Sequence, residues 1–316
     1  MTTFDSVAVV GLGLVGGSVA RDLAARGVHV SAYDADATHL AAAIRTNIVR
    51  SALDESLSGV RDAEAVIIAT PVDAALGVLK RVAPQARRAR LIMDVGSTKS
   101  RIVESAQQLG IGSRFVGAHP MAGDHRSGWH ASRTGLFADA PVYLCPPRDA
   151  TADSMQLARM FWVELGARPE RMSAEQHDLK LAWTSHLPHM VSTALALALA
   201  RTGIDRVYLG PGGRDVTRLA GSSPEMWTAI ALENASAIEA ALHHTEREIA
   251  TIRDSLKRAD QQDLRGRFDV ARRWWNGDEG RGKREEGSGG KGVDGKRDDA
   301  ESENGDSVPT SGTAQN

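Results

Sequence analysis

A glycine-rich turn between an apolar run and a helical stretch constrains the fold of this chain more than any other feature. Directly after the apolar residues 7–10 comes Gly11-Leu12-Gly13-Leu14-Val15-Gly16, and an alanine-containing helical stretch begins at Gly17. In such a turn the first glycine permits the tight bend, the second admits a phosphate group, and the third lets the helix pack closely on the strand. The free amides and the dipole at the helix N-terminus attract the same phosphates. The turn therefore predicts a βαβ unit that binds a dinucleotide.

The remainder of the first 145 residues repeats this alternation of apolar runs and amphipathic stretches. Six strands are predicted, at Val7–Val10, His29–Tyr33, Ala65–Ala69, Leu91–Val95, Phe115–Ala118 and Val142–Leu144. Several of these runs are apolar throughout, which is typical of strands covered on both faces of a parallel sheet. We predict a doubly wound, mostly parallel α/β Rossmann domain over residues 1–149.

From about residue 150 the pattern becomes helical, and we predict an all-α domain over residues 150–276. A capping box at Ser173 begins a long helix that runs to about Arg201, and a further helix starts near Pro224 and continues past Leu256. The run 195–200 is apolar on nearly all sides, which predicts that this domain forms a homodimer. Residues 277–316 are rich in glycine and charge, so we expect a disordered polar tail.

An acidic residue at the end of the second predicted strand indicates which dinucleotide binds. Asp34 lies 18 residues after Gly16, where a carboxylate would accept a hydrogen bond from the adenosine ribose 2′-hydroxyl and would repel a 2′-phosphate. NAD is therefore predicted over NADP, although His39 and Arg45 are nearby groups that could favour NADP. Thr70, Pro71 and Gly96 follow neighbouring strands and are predicted to line the same cofactor.

A histidine at the end of the fifth predicted strand is the main candidate for proton transfer. Pro120 biases His119 away from helical geometry, and the carboxyl ends of strands in an open α/β sheet face the ligand crevice. An imidazole there can exchange a proton near neutral pH. Ser97 follows the preceding strand, and we expect it either to share a hydrogen-bond network with His119 or to cap a helix.

Composition and charge exclude several other classes of function. The chain has 38 basic and 40 acidic residues, so neither nucleic acid nor an anionic membrane is an expected partner. Its single cysteine, Cys145, lies in an apolar run, which predicts a buried thiol and a reducing, cytoplasmic location. The N-terminal residues do not resemble a signal peptide. No metal is expected, because His186 and His189 share a helix face without a third ligand in reach, and His177 is out of phase with His186 on a regular helix.

Five motifs follow one another along the chain. They are Gly11–Ser18, Asp94-Val-Gly-Ser-Thr-Lys99, His119-Pro-Met-Ala-Gly123 with Ser127-Gly128, Ser185-His-Leu-Pro-His189 and Arg214-Asp-Val-Thr-Arg218. In this order they resemble the motifs of prephenate dehydrogenases, over about residues 6–260. The resemblance implies a Rossmann domain, a helical dimerisation domain and an active site between them. It also implies NAD-dependent oxidative decarboxylation of prephenate to 4-hydroxyphenylpyruvate on the route to tyrosine.

The same resemblance implies roles for individual residues. His119 corresponds to the catalytic histidine that hydrogen-bonds the substrate 4-hydroxyl, Ser97 to its hydroxyl partner, and Arg218 to the arginine that holds a substrate carboxylate. The residues that would contact or line the rest of the substrate pocket are His189, Ser185, His186, Arg214 and Trp227, with His177 and Asp215 beside them. Members of the family often have an acidic residue where this chain has Asp124-His125, so an ion-pair gate to Arg218 is not expected here.

Three alternatives remain open at this point. Arogenate dehydrogenase performs the same chemistry on a substrate whose side chain carries an amine, which would favour a carboxylate where this chain has His189. A β-hydroxyacid dehydrogenase would use a catalytic lysine on the linking helix, where Lys180 lies. A non-catalytic NAD-sensing protein would keep the glycine turn but would not need His119, Ser97 and Arg218 together.

Overall fold

The computed structural model describes residues 2–123 and 126–277. These residues group into two compact units, one up to Arg247 and one from Glu248 onward. The predicted disordered tail and the Asp124-His125 position lie outside the described residues, except for Gly277. No helix in the described ranges is long and apolar enough to cross a membrane.

The first unit is built on one eight-stranded sheet with the order β3-β2-β1-β4-β5-β6-β7-β8. All neighbouring strands are parallel except β6 and β7, which pair antiparallel. The strands are β1 Ser6–Val10, β2 His29–Tyr33, β3 Ser51–Ala52, β4 Ala65–Ile68, β5 Leu91–Asp94, β6 Phe115–Pro120, β7 Pro141–Cys145 and β8 Arg168–Arg171. The strand order reverses between β1 and β4, and ligands bind at such a switch point in doubly wound sheets.

Helices cover both faces of this sheet, so the prediction of a doubly wound α/β domain is confirmed. The helices of the Rossmann portion are α1 Leu14–Ala25, α2 Ala37–Arg45, α3 Val72–Val82, α4 Ser100–Gln108 and α5 Ala152–Glu164. Alternate residues of one strand enter opposite cores: Val7 and Val9 of β1 pack in one apolar cluster, and Ala8 and Val10 pack in the other. Burial on both faces explains why residues 7–10 form a continuous apolar run. The buried position predicted for Cys145 is also found.

The helical interpretation of the chain after residue 150 is wrong at one element. Residues 168–171 form β8, which pairs parallel with β7, so the sheet continues past residue 149 where we predicted the first domain to end. The strand reads Arg-Pro-Glu-Arg and three of its four residues are exposed. An edge strand needs no apolar face and tolerates proline, so it gives no alternating signal in the sequence. The two-residue strand β3 at the other edge was missed for the same reason.

The later helices are α6 Ala174–Leu181, α7 Leu187–Arg201, α8 Pro211–Val216, α9 Pro224–Glu233, α10 Ala235–Lys257 and α11 Gln261–Asn276. The capping box at Ser173 is present, with the Gln176 amide donating to the Ser173 hydroxyl at 3.1 Å. The long helix predicted to follow it is interrupted, because a π-helical turn at Ala182–His186 separates α6 from α7. The second predicted helix is likewise divided at Asn234 into α9 and α10.

The second unit contains the end of α10 and the whole of α11. Arg267 of α11 donates to the Asp263 carboxylate of the same helix and to the Thr251 hydroxyl of α10, both at 3.0 Å. The contact with Thr251 ties the two helices together. Several large apolar side chains of this unit are exposed, among them Phe268 and Trp275.

Candidate active site

The glycine turn has the geometry that a dinucleotide requires. Gly11 has φ +100°, a backbone conformation that favours glycine. A Cβ atom at Gly16 would lie 2.0 Å from the Gly11 carbonyl oxygen, so only glycine lets α1 approach the turn this closely. At Gly13, by contrast, a Cβ atom would have no neighbour within 4 Å. The turn is therefore closed around the first and third glycines and open at the second, where a pyrophosphate would pass.

Asp34 lies against this turn and not in free solvent. Its Oδ2 accepts a hydrogen bond from the Leu12 amide at 2.5 Å, and its Oδ1 accepts from the Asp36 amide at 2.8 Å. The ring of His39 approaches the same carboxylate at 3.6 Å. Asp34 is thus fixed as an acceptor at the carboxyl end of β2, the position at which a ribose hydroxyl donates.

The loops after β4 and β5 complete the edge of the crevice. The Thr70 hydroxyl is buried and has no hydrogen-bond partner within the described residues. A Cβ atom added at Gly11 would lie 3.0 Å from the Thr70 amide nitrogen, so Thr70 is next to the turn. Pro71 precedes the first residue of α3, and the Gly96 amide donates to Asp94 at 2.9 Å. A buried hydroxyl without a partner is unusual and indicates that this edge accommodates a polar ligand.

His119 is the first member of a chain of three side chains. Its Nδ1 is 2.9 Å from Nε2 of His177 on α6, and Nδ1 of His177 is 2.9 Å from Oδ1 of Asp178. The two rings meet edge to face, with centroids 5.1 Å apart. Nδ1 is already bonded within the three side chains, so Nε2 is the ring nitrogen of His119 that remains for a ligand. His119 is at the end of β6, and such a ligand would therefore lie at the edge of the sheet.

Hydrogen bonds fix the carboxylate of Asp178 at the start of α4. Its Oδ1 accepts from the Lys99 amide at 2.9 Å and its Oδ2 from the Ser100 amide at 2.8 Å. These are free amides at the start of α4, so the carboxylate caps that helix from a distant part of the chain. Burial raises the pKa of Asp178, but the hydrogen bonds from His177, Ser100 and Lys99 outweigh it and hold the pKa below its usual value.

A buried ion pair lies beneath these groups. Lys99 has no exposed surface, and its ammonium group donates to the carboxylate of Asp94. The charge of Lys99 is therefore compensated within the core, as a buried cation requires.

The surroundings keep His119 neutral. Burial, followed by the proximity of His177 and Lys99, holds the pKa of His119 well below its ordinary value. Burial also lowers the pKa of His177, although the hydrogen bond to Asp178 opposes this effect. A neutral imidazole can accept a proton, whereas an imidazolium cannot.

Ser97 is not where the sequence prediction expected its contacts. It is partly buried in the loop after β5, and no hydrogen bond joins it to His119 within the described residues; the side chain bonded to Nδ1 of His119 is His177. It does not cap α4 either, since that helix begins at Ser100 and its first amides are bonded by Asp178.

The π-helical turn changes how the later histidines are arranged. His186, at the end of the turn, accepts from the Asn234 side chain at 3.1 Å, and Asn234 also donates to the Asp178 carbonyl at 2.8 Å. On a regular helix His177 and His186 would point away from each other, as the sequence predicts. The wider turn between them rotates His186 toward the three hydrogen-bonded side chains described above. Burial lowers the pKa of His186 to about 4.

A second group of predicted residues surrounds Trp227 of α9. The ring of His189 stacks on Trp227 at 3.5 Å and 22°, and the ring of His186 meets Trp227 edge to face at 6.0 Å. Arg218 is exposed at the start of a short 3₁₀ turn. The pKa of His189 is lowered, first by burial and also by the positive charge of Arg218, while a hydrogen bond with the Leu219 backbone opposes this effect.

Two other predicted pocket residues are less closely connected to this group. Ser185 is partly buried in the π turn. Arg214 donates to the Val207 carbonyl at 3.2 Å, and no contact to the histidines is present within the described residues. Lys180, the residue that a β-hydroxyacid dehydrogenase would use, has its ammonium group over the ring of Tyr143 at 4.4 Å.

Sequence reasoning missed Asp178 and Asn234, and it placed His177 only among pocket residues. The available signal was local: Asp178 directly follows a histidine near the start of a capped helix. Nothing in that signal shows that the carboxylate reaches α4, 78 residues earlier in the chain.

Comparison with known proteins agrees with this geometry. Residues 19–170 match the family model described as prephenate dehydrogenase, nucleotide-binding domain, and residues 173–269 match the model described as prephenate dehydrogenase, dimerization domain. The chain belongs to the prephenate dehydrogenase family. This membership confirms the resemblance on which the sequence analysis relied, and it makes the protein an oxidoreductase.

Two curated relatives cover most of the chain. It is 35% identical to a cyclohexadienyl dehydrogenase of Zymomonas mobilis, over 82% of this chain and 91% of that protein. It is 34% identical to a prephenate dehydrogenase of Bacillus subtilis, over 86% of this chain and 76% of that protein.

Two solved structures are also similar. One is a prephenate dehydrogenase from A. aeolicus in complex with hydroxyphenyl propionate and NAD⁺, with a TM-score of 0.79, 28% identity and coverage of 86% of this chain and 96% of that one. The other is a Synechocystis arogenate dehydrogenase, with a TM-score of 0.74, 29% identity and coverage of 87% and 99%. The relatives thus include enzymes named for prephenate and for arogenate.

Proposed function

We propose that this protein catalyses the NAD-dependent oxidative decarboxylation of prephenate to 4-hydroxyphenylpyruvate, carbon dioxide and NADH. The observation that carries the proposal is the neutral His119 at the end of β6, whose Nδ1 is bonded to His177 and whose Nε2 remains for a substrate hydroxyl. The similarity to proteins named prephenate dehydrogenase supports the choice of substrate.

The residues at the switch point fit NAD. Gly13 leaves room for the pyrophosphate, Asp34 is fixed as an acceptor for a ribose hydroxyl, and the buried Thr70 hydroxyl lacks a partner. Leu12, Leu14, Val15, Pro71 and Gly96 would form the surrounding walls. When bound, NAD⁺ supplies the acceptor for the hydride that leaves the substrate ring.

His119 acts as the proton acceptor in this proposal. The proton of the substrate 4-hydroxyl moves to Nε2 while hydride leaves the carbon that bears the hydroxyl. The ring carboxylate departs as carbon dioxide, the electron pair it leaves behind completes the aromatic ring, and the phenolate oxygen takes the proton back from Nε2 of His119. Because aromatisation drives this loss, the residues need not provide a separate electron sink. Ser97 would contact the substrate or His119 only after substrate binding.

The anionic substrate requires positive or hydrogen-bonding groups at its other end. Arg218 is exposed near His189 and can bind a carboxylate with a two-pronged contact. His189, held against Trp227, and Ser185 would contact the side-chain end. His186 would shape the pocket through its contacts with Asn234 and Trp227, and Arg214 through its loop.

Arogenate is the second candidate substrate, and the similarity to a Synechocystis arogenate dehydrogenase favours keeping it. Arogenate carries an ammonium group where prephenate carries a keto group. The corresponding position here holds His189, whose pKa burial lowers, and not a carboxylate. Prephenate is therefore preferred.

The deciding experiment measures NADH formation by the purified protein with NAD⁺, offering prephenate and arogenate in parallel. We expect turnover of prephenate, and His119→Asn should lower kcat by roughly 10²–10⁴-fold. His29→Asn is the matched control, because His29 is exposed at the amino end of β2, opposite the edge that holds the site. No NADH with either substrate would refute the proposal, and turnover of arogenate alone would replace prephenate as the substrate.

We also propose that the protein is a cytoplasmic homodimer. A family model described as a dimerization domain matches residues 173–269, and α7 exposes Leu195 and Leu197. A sedimentation mass of two chains at micromolar concentration is expected; a mass of one chain would contradict the dimer.

A further inference from the structure

We propose that His177 and Asp178 are positioning residues that fix the tautomer of His119, so that Nδ1 carries the proton and Nε2 presents a lone pair to the substrate. The chemical use of that lone pair rests on the proposed function, whereas the tautomer itself is a property of the free protein. The inference follows from hydrogen-bonding capacity along the chain of three side chains.

Asp178 can act only as a hydrogen-bond acceptor in its contacts with the start of α4. Backbone amides can only donate, and the amides of Lys99 and Ser100 are 2.9 and 2.8 Å from its two oxygens. The carboxyl group therefore accepts on both oxygens. Because Oδ1 is an acceptor, Nδ1 of His177 at 2.9 Å must donate to it.

The donor role of Nδ1 in His177 fixes the role of Nδ1 in His119. A neutral imidazole has one donor nitrogen and one acceptor nitrogen, so a His177 that donates from Nδ1 must accept at Nε2. The atom 2.9 Å from that Nε2 is Nδ1 of His119, which must then donate. Nε2 of His119 is left without a proton, which is the form that can accept one from a hydroxyl.

These donor and acceptor roles hold while both rings are neutral, and the surroundings of the two rings favour the neutral form. The groups that face them are Lys99 and its partner Asp94 below the sheet edge, Tyr143 on β7, and Asp178 and His186 on the helical side. Lys99 and Asp94 form an ion pair and largely cancel each other. Burial is the largest influence on both rings and lowers both pKa values.

The contact between α6 and α4 also contributes to the positioning of His119. Asp178 can orient His177 only while it caps the first amides of α4, so the tautomer of His119 depends on the seating of α6 against the sheet. When Nε2 takes the hydroxyl proton, the Nδ1 proton stays in its hydrogen bond to His177. The new positive charge is then stabilised by a ring that is itself bonded to a carboxylate.

The tautomer can be measured without any activity. In the ¹⁵N-labelled wild-type protein, two-bond ¹H–¹⁵N correlations distinguish protonated from unprotonated ring nitrogens, and the His119→Asn variant assigns the His119 signals. We expect Nδ1 protonated and Nε2 unprotonated between pH 7 and 9. A protonated Nε2 in the free protein would overturn the proposal. Because this readout needs no substrate, it still decides the tautomer if prephenate is not turned over and the proposed function fails.

Two substitutions at His177 separate positioning from packing. His177→Leu removes the acceptor for Nδ1 and should lower kcat on the order of 10–10³-fold, with KM for prephenate within about threefold of wild type. His177→Gln restores an acceptor oxygen and should recover at least tenfold of that loss, with His119 again protonated on Nδ1. Equal kcat values for the Leu and Gln variants would show that only packing matters and would overturn the proposal. If the Leu variant does not fold, the wild-type spectrum and the Gln variant still decide the question.

Discussion

The third glycine of the turn provides the sharpest test of the structure. In Gly16→Ala the new methyl group would lie 2.0 Å from the Gly11 carbonyl oxygen and 2.7 Å from the Ala69 methyl group. Both neighbours are fixed by backbone, one in the turn and one directly after β4, so neither can rotate away. The start of α1 must therefore move off the sheet edge.

The magnitude follows from two opposing effects. Forcing a methyl group into a closely packed site costs about 1–3 kcal/mol, and the overlap here with a backbone oxygen favours the upper end. Replacing glycine by alanine within a helix returns about 1 kcal/mol. We expect Gly16→Ala to lower the free energy of unfolding by about 2 kcal/mol and to weaken NAD binding, because the turn is displaced.

Gly13→Ala is the matched control, since the same methyl group there meets nothing within 4 Å. Its φ of −67° suits alanine, so stability should change by less than about 1 kcal/mol, the size of a lost N-cap preference. The added methyl group would nevertheless fill the space for the pyrophosphate, and the Kd for NAD should rise at least about tenfold, or 1.4 kcal/mol.

Urea unfolding and calorimetric titration with NAD separate the two effects. The expected pattern is lost stability for the variant at position 16, and lost affinity with retained stability for the variant at position 13. A Gly16→Ala protein as stable as wild type would refute the close packing of α1 on the turn. Native NAD affinity in Gly13→Ala would refute the path of the pyrophosphate over Gly13.

Three further predictions concern cofactor choice, substrate capture and acid stability. Asp34→Ser combined with His39→Arg should raise the ratio of kcat/KM for NADP to that for NAD at least about tenfold; equal use of both cofactors by the wild type would contradict the role of Asp34. Arg218→Gln should raise KM for prephenate about tenfold or more, roughly 1.5–3 kcal/mol for a charge-assisted contact, with a smaller change in kcat; an unchanged KM with a collapsed kcat would place Arg218 in the chemical step. Burial lowers the pKa of His186 to about 4 in the folded protein, below its value in an unfolded chain. The unfolded state therefore binds more protons as the pH drops from about 6.5 toward 4. The free energy of unfolding should fall over that range, by up to about 1.4 kcal/mol per pH unit. Urea unfolding at pH 7 and 5.5 measures this loss, and a slope in His186→Gln as steep as in wild type would argue against it.

The parts of the fold that could be predicted from sequence are those with a local physical cause. Residues 7–10 of β1 and 65–68 of β4 are apolar because both faces of the sheet are covered, and the glycine turn is required wherever a helix starts this close to a strand. β8 has no such cause. It is held by backbone pairing to β7, and its Arg-Pro-Glu-Arg sequence is compatible with any exposed segment.

The candidate site divides in the same way. His119, Asp34 and Gly16 are recognisable because each occupies a fixed offset from a strand end. The partner of His119 is different, since the sequence offered Ser97, which follows the neighbouring strand, whereas in the structure His177 bonds to Nδ1 of His119. The choice between them depends on how α6 is seated, and the Asp178 contact to the amides of α4 determines that seating.

The π-helical turn shows why periodicity could not resolve the histidines. A regular helix places His177 and His186 on opposite sides, and the sequence offers no breaker between them, since Pro188 follows the turn and does not precede it. Asn234, which lies between α9 and α10 much later in the chain, donates to both His186 and the Asp178 carbonyl and so ties the end of the wider turn to α6. One side-chain amide thus connects the ring that meets Trp227 edge to face with the residue that bonds to His177. Nothing in the local sequence around His186 or Asp178 encodes this contact, which depends on a residue far along the chain.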